Sequence, residues 1–194
     1  MHHVTKLRLM LWFTILYMTF FTIVSLMARN YEFLYYTVVM SLIILVLIKY
    51  KEHISFTSGI AFGLTVVAAL HIFGGNIYLE GVRLYDVWLT RWFKYDNLVH
   101  IIGTFTATIL SYTFVYQHLN DKARDKKMLL AIIILSMSLG IGALNEILEL
   151  GAVLFFNAAN QVGDYLNNAF DLLYNLIGAI LACIYLFYIQ KEQK

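Results

Sequence analysis

Long apolar runs broken by short polar punctuation dominate this chain, and neither the alternation of amphipathic strands nor the narrow stripe of soluble helices organises it. A bilayer core of about 30 Å needs about 20 apolar residues of helix, which divides the sequence into six spans. They run roughly Leu9–Met27, Phe33–Ile48, Phe56–Phe73, Asp96–Tyr116, Met128–Phe156 and Ala169–Tyr188. The first link, Ala28 to Glu32, is short, and Lys49, Lys51, Glu52 and His53 end the second span. Gly74-Gly75 is expected to stop the third. Between Asn76 and Lys94, Leu84, Trp88 and Trp92 recur every four residues among Arg83, Asp86 and Lys94. That pattern predicts a short interfacial helix, with the aromatics from Tyr78 to Tyr95 anchored at headgroup level. Asp121–Lys127 reads as a solvated loop and Asn157–Asn168 as a polar turn.

The expected fold is therefore all-α: a polytopic bundle of six transmembrane helices forming one membrane domain. Residues 1–54 supply the first two helices and 55–190 a motif-bearing four-helix core. Composition agrees, because 61% of the 194 residues are hydrophobic and 13% charged, against about 25% charged in soluble chains. The run Leu9–Met27 is longer than a signal-peptide apolar region, and no small-residue cleavage pattern follows, so it is expected to stay as an anchor. Cys183, the single cysteine, closes no internal disulfide and reads as a small packing residue.

Charge placement sets the expected orientation. With six spans, Lys6, Arg8, Lys49, Lys51, Lys122, Arg124, Lys126, Lys127, Lys191 and Lys194 fall on one side, and Arg29, Arg83, Arg91 and Lys94 on the other. The positive-inside rule places the richer side, with both termini, in the cytoplasm. No basic surface suited to nucleic acid is present.

The candidate chemistry lies in Asn145-Glu146-Ile147-Leu148-Glu149, inside an apolar run. A charged side chain at mid-bilayer depth costs roughly 2.5–3.5 kcal/mol on insertion scales, so two together need a reason. Asp96 with His100 and Asp171 with Asn175 are i, i+4 pairs, and Glu146 with Glu149 is i, i+3; each pair shares one helical face. The topology brings them, with His71 and Asp164, to the non-cytoplasmic half. Facing side chains of this kind build metal sites inside helical bundles. Imidazole with carboxylates suits Zn²⁺, Mn²⁺ or Fe²⁺. No Lys or Arg lies within a span to neutralise the acids, although the loop cations Arg83 and Arg91 could reach them. The candidate metal ligands are Asp96, His100, Glu146, Glu149, Asp171, His71 and Asp164, with Asn145 and Asn175 in support. Glu146, Glu149 or Asp96 is the candidate catalytic carboxylate. His71 reads equally as a polar helix-end residue, Asp164 as a turn residue or helix N-cap, and Asp171 with Asn175 as packing contacts. Gly103, Gly142 and Gly178 lie on the same stripes and are expected to let helices approach closely.

Several chemistries have no support: there is no phosphate-binding glycine loop, no Gly-x-Ser-x-Gly elbow and no His-Glu-x-x-His. The residues allow a metal-dependent hydrolase or transferase acting on a lipid or cell-envelope precursor. They also allow a proton- or cation-coupled transporter, or a non-catalytic membrane assembly protein.

The ordered set His71-x-x-Gly74-Gly75, Tyr95-Asp96-x-x-x-His100-x-x-Gly103, Asn145-Glu146-x-x-Glu149 and Gly163-Asp164 through Asp171-x-x-x-Asn175-x-x-Gly178 resembles the YjdF-like family of bacterial inner-membrane proteins of unknown function. It also looks like a distant relative of VanZ-like membrane proteins, some associated with glycopeptide-antibiotic resistance. Those carry an Asp-x-x-x-His, Glu-x-x-Gln, Asp-x-x-x-Asn progression, and Glu149 stands where they carry glutamine. The resemblance spans about residues 70–180 and implies a bacterial inner-membrane location.

Overall fold

The computed structural model describes residues 3–51 and 56–192; Glu52 and His53 at the expected end of the second span, and Lys194 of the charge pattern, lie outside them. Among the described residues, six helices are long and apolar enough to cross a membrane. These are α1 (His3–Met27), α2 (Tyr31–Lys49), α3 (Ser58–Asn76), α4 (Tyr95–Tyr116), α6 (Lys127–Phe156) and α8 (Tyr165–Glu192). The short helices α5 (Asp121–Arg124) and α7 (Ala159–Val162) lie in stretches read from sequence as a loop and a turn. The chain is an all-α polytopic membrane protein. Many of its large apolar side chains lie on the outer surface, Trp12, Leu16, Leu45 and Leu154 among them, as expected where lipid and not water is the surrounding solvent.

Asn30 caps α2 by accepting from the Phe33 amide at 3.2 Å, and Thr57 caps α3 through Ile60 at the same distance. These caps place the helix starts where an unpaired amide would otherwise face the membrane boundary. The most extensive packing is between α4 and α8, with α6 against both and α3 against α4; α1 lies mainly along α3.

Small residues set the depth of that packing. A Cβ on Gly178 would overlap the Ile101 carbonyl and the Thr104 hydroxyl, so α8 approaches the α4 backbone here. Gly142 meets Asn175 in the same way. Gly103 does not: a Cβ added there would stand 3.9 Å from its nearest neighbour, Val67, which is ordinary contact. Gly74-Gly75 also departs from expectation. The helix α3 runs through both to Asn76, because their bare faces admit the rings of Tyr85 and Phe33.

The expected interfacial helix between α3 and α4 is absent. Two antiparallel hairpins replace it, β1 (Tyr78–Leu79) with β2 (Val82–Arg83) and β3 (Trp88–Thr90) with β4 (Phe93–Lys94), joined through a 3-10 turn at Leu84–Asp86. Glu80 and Gly81 both take positive φ, 51° and 83°, the requirement of a two-residue type I′ turn matched to strand twist. Val, Thr and aromatic side chains then favour extended backbone, which outweighs the four-residue recurrence of Leu84, Trp88 and Trp92. The anchor assignment also splits: Trp88 and Trp92 are exposed, whereas Tyr85 and Tyr95 are buried.

Gly178→Ala should lower the melting temperature of the detergent-solubilised protein by several degrees, since overpacking costs about 1–3 kcal/mol. Gly103→Ala should leave it within about a degree, because its Cβ enters ordinary contact distance. Equal melting of the two variants would contradict the close α4–α8 approach.

Candidate metal centre

Three helices converge on one imidazole. From α4 comes His100, with Asp96 one turn earlier, near the positive end of the helix dipole where a carboxylate is favoured. From α6 come Glu146 and Glu149, and from α8 Asp171 and Asn175. The His100 Nε2 atom lies 3.5 Å from Asp96 Oδ1 and 3.5 Å from Asp171 Oδ1. On the other edge, Nδ1 shares a 3.1 Å hydrogen bond with Asn175 Oδ1 and stands 3.8 Å from Glu146 Oε1. His100 is 8%, Asp171 1% and Asn175 2% exposed.

Amides hold the carboxylates from behind. Asn167 donates to Asp171 Oδ2 at 2.8 Å, Asn168 to Glu146 Oε2 at 2.7 Å and Asn145 to Glu149 Oε1 at 2.8 Å. Among the described residues, the inward oxygens Asp171 Oδ1 and Glu146 Oε1 and the Asn175 amide nitrogen have no hydrogen-bond partner. Buried polar atoms are nearly always paired, and several carboxylates around one ring carry more negative charge than the ring can balance. A cation or bound protons must complete the cluster.

Among the described residues, two overlapping groups could hold a metal ion. In one, Asp96, His100 and Asp171 each bring a donor atom within 4.8 Å of the other two; in the second, His100, Glu146 and Glu149 do so. His71 and Asp164 join neither group. His71, on α3, shares a hydrogen bond with the Tyr85 hydroxyl and packs among Phe33, Tyr36 and Tyr85. Burial pushes the Tyr85 phenol well above its usual range, so that hydroxyl keeps its proton. Asp164 Oδ1 accepts from the Asn167 backbone N–H at 3.0 Å and so caps the start of α8.

A cavity of about 520 Å³ opens beside the cluster, and Asp96, Glu149, His71, Asp164 and Asn167 line it. Arg83 stands at its wall, paired with Asp86 at 3.1 Å and Glu32 at 3.5 Å and donating to the Gln161 carbonyl. It thereby ties the hairpins to α2 and α7. The loop cations expected to reach the acids are engaged elsewhere, Arg83 in these pairs and Arg91 over the Trp92 ring.

Sequence reasoning passed over Glu32, Tyr85, Asn167 and Asn168. Glu32 sits in what reads as a link and Tyr85 in what reads as an anchor. The two asparagines fall in the polar turn, where amides are ordinary; their i, i+4 and i, i+3 spacing to Asp171 was the one signal present.

The family model described as "Predicted membrane protein (DUF2238)" matches residues 9–192. No curated protein and no solved structure matches the chain. With that match covering nearly all of the sequence, and with six apolar helices of membrane-spanning length, the chain belongs to the DUF2238 family of predicted membrane proteins.

Proposed function

We propose that this protein is a metal-dependent hydrolase or transferase acting on a lipid or cell-envelope precursor. One observation carries the reading: Asp171 Oδ1, buried and without a hydrogen-bond partner, lies with Asp96 Oδ1 at 3.5 Å from the same imidazole nitrogen. Donor atoms around a tetrahedral ion bound at about 2.0–2.2 Å stand about 3.3–3.6 Å apart. Both carboxylate-to-imidazole distances match that spacing, and the three donor atoms lie within 4.8 Å of one another, which suits one divalent ion, Zn²⁺, Mn²⁺ or Fe²⁺.

In this reading Asp96, His100 and Asp171 hold the ion, which supplies Lewis acidity toward a carbonyl or phosphoryl oxygen. Glu149 is the general base, because it alone of the α6 pair lines the cavity and Asn145 fixes its carboxylate. A water or acceptor hydroxyl in the cavity gives its proton to Glu149 as its oxygen forms the new bond. The proton then passes to the departing alcohol. The cavity volume falls within the roughly 300–1,000 Å³ usual for small-molecule sites, and its place at one end of the bundle suits a headgroup whose tail stays in lipid. The ionisable side chains cluster at one end, and the buried hydroxyls of Thr104, Thr108 and Ser138 farther along the bundle donate to carbonyls of their own helices, which favours catalysis over coupled transport. The VanZ-like motif order agrees with an envelope role, the YjdF-like resemblance with a bacterial inner membrane, and the cation asymmetry with cytoplasmic termini and an extracytoplasmic site.

The wild-type protein, stripped with chelator and reloaded, should bind close to one divalent ion per chain. Asp171→Asn should weaken binding by more than about 100-fold, since even outer-shell changes cost 10–100-fold. Glu149→Gln should keep the ion and abolish turnover when bacterial lipid extract is followed by mass spectrometry. No bound metal in the wild type, with uptake driven by a pH gradient in vesicles, would replace this reading with transport.

Orientation is tested in a Cys183→Ala background. Trp92→Cys should react with a membrane-impermeant maleimide on intact cells, and Asp125→Cys only after permeabilisation. The reverse pattern would move the site to the cytoplasmic side.

A further inference from the structure

The two donor groups of the cluster meet in one ring but at opposite edges. Asp96 and Asp171 address Nε2, and Glu146 addresses Nδ1. A neutral imidazole offers a single lone pair, so only one group can take an ion through His100 at a time. Asn175 stands where that choice is made. Its Oδ1 lies 3.1 Å from Nδ1, and a carbonyl oxygen only accepts, so the proton belongs on Nδ1 and the lone pair on Nε2. Glu146 Oε1, at 3.8 Å from the same nitrogen, adds a second acceptor there and favours the same proton.

Helix α6 fixes the Asn175 side chain through a missing group. A Cβ at Gly142 would stand 2.8 Å from Asn175 Nδ2 and 3.0 Å from its Cγ, so the amide occupies space that only glycine leaves open. Gly142 and Glu146 are one turn apart on one face of α6, and that face therefore shapes both neighbours of Nδ1.

We infer that Asn175, seated against the bare backbone at Gly142, sets the His100 tautomer with Nδ1 protonated and commits the metal to the Asp96–Nε2–Asp171 group. The inference rests on the metal-centre reading proposed above. Its consequence is a division of labour: Glu146 and Glu149, deprived of an imidazole partner, stay free of the ion, and Glu149 keeps its proton-accepting oxygen. Asn175 is a positioning residue of the kind that orients metal-binding histidines from behind. Turning its amide round gives the rival arrangement. There Nδ2 would donate to a bare Nδ1, and Nε2–H would donate to Asp96 and Asp171, leaving no lone pair for a metal.

Zinc-loaded protein carrying ¹⁵N-labelled histidine tests this, with His100→Gln identifying the His100 signals. A directly bonded proton is expected on Nδ1 and none on Nε2. Asn175→Leu should weaken zinc binding about 10–100-fold, whereas Asn175→Asp, which keeps an acceptor oxygen, should stay within about threefold of wild type. Gly142→Ala is the milder second variant, read if Asn175→Leu does not fold, and should weaken zinc binding about tenfold while thermal melting reports an intact fold. A proton on Nε2 in the zinc-loaded protein, or wild-type zinc affinity in Asn175→Leu or in folded Gly142→Ala, would overturn the inference. Wild-type protein that binds no zinc would instead overturn the metal reading and this inference with it.

Discussion

The buried His100 imidazole and the carboxylates turned toward it constrain the rest of the molecule. Asp96, Glu146 and Asp171 reach it from three helices, and Asp171 sits almost wholly out of solvent. Like charges this close cannot stand in a low-dielectric interior without a compensating cation or proton. Removing one partner from such a cluster strands the others, so each helix is tied to the position of the next. The apolar exterior supplies no comparable constraint, because lipid solvates it as well as a neighbouring helix would.

Packing and capping serve that cluster. Gly178 lets α8 close on α4 and Gly142 admits Asn175, so the approach of backbones sets how near Asp171 and Asn175 come to His100. Above the cluster the hairpins and α7 are pinned through Arg83, whose partners lie on three separate segments. Tyr85 reaches down from the same segment to His71, and Gly74 gives its ring room. The cavity beside Asp96 and Glu149 is thus walled in part by a segment tied to α2 and α3.

Six spans were legible because continuous apolar length is a strong signal, and Asp96, His100, Glu146 and Asp171 because charge inside such runs is costly. Helical spacing alone paired them correctly on their own helices. What stayed hidden depended on contacts between segments. Gly74-Gly75 read as a stop because sequence does not reveal the rings that fill the space beside them. The Glu80-Gly81 turn carried a hairpin signal, but the recurrence of Leu84, Trp88 and Trp92 pointed toward a helix, and both hairpin ends depend on burial of Tyr85 and Tyr95. Asn167 and Asn168 were obscured by their place in a polar turn, where hydrogen bonding to nearby backbone is the ordinary role of asparagine. The seating of Asn175 against Gly142 is a relation between two helices that no single-helix periodicity encodes.

The central claim is that oxygens of Asp96 and Asp171 and the Nε2 atom of His100 surround one divalent ion. Anomalous diffraction at the zinc edge, from crystals of zinc-loaded protein, addresses it most directly. The account predicts a single peak about 2.0–2.2 Å from all three donor atoms. Full occupancy of the three side chains with no peak among them, and Nε2 hydrogen-bonded to the carboxylates, would contradict it.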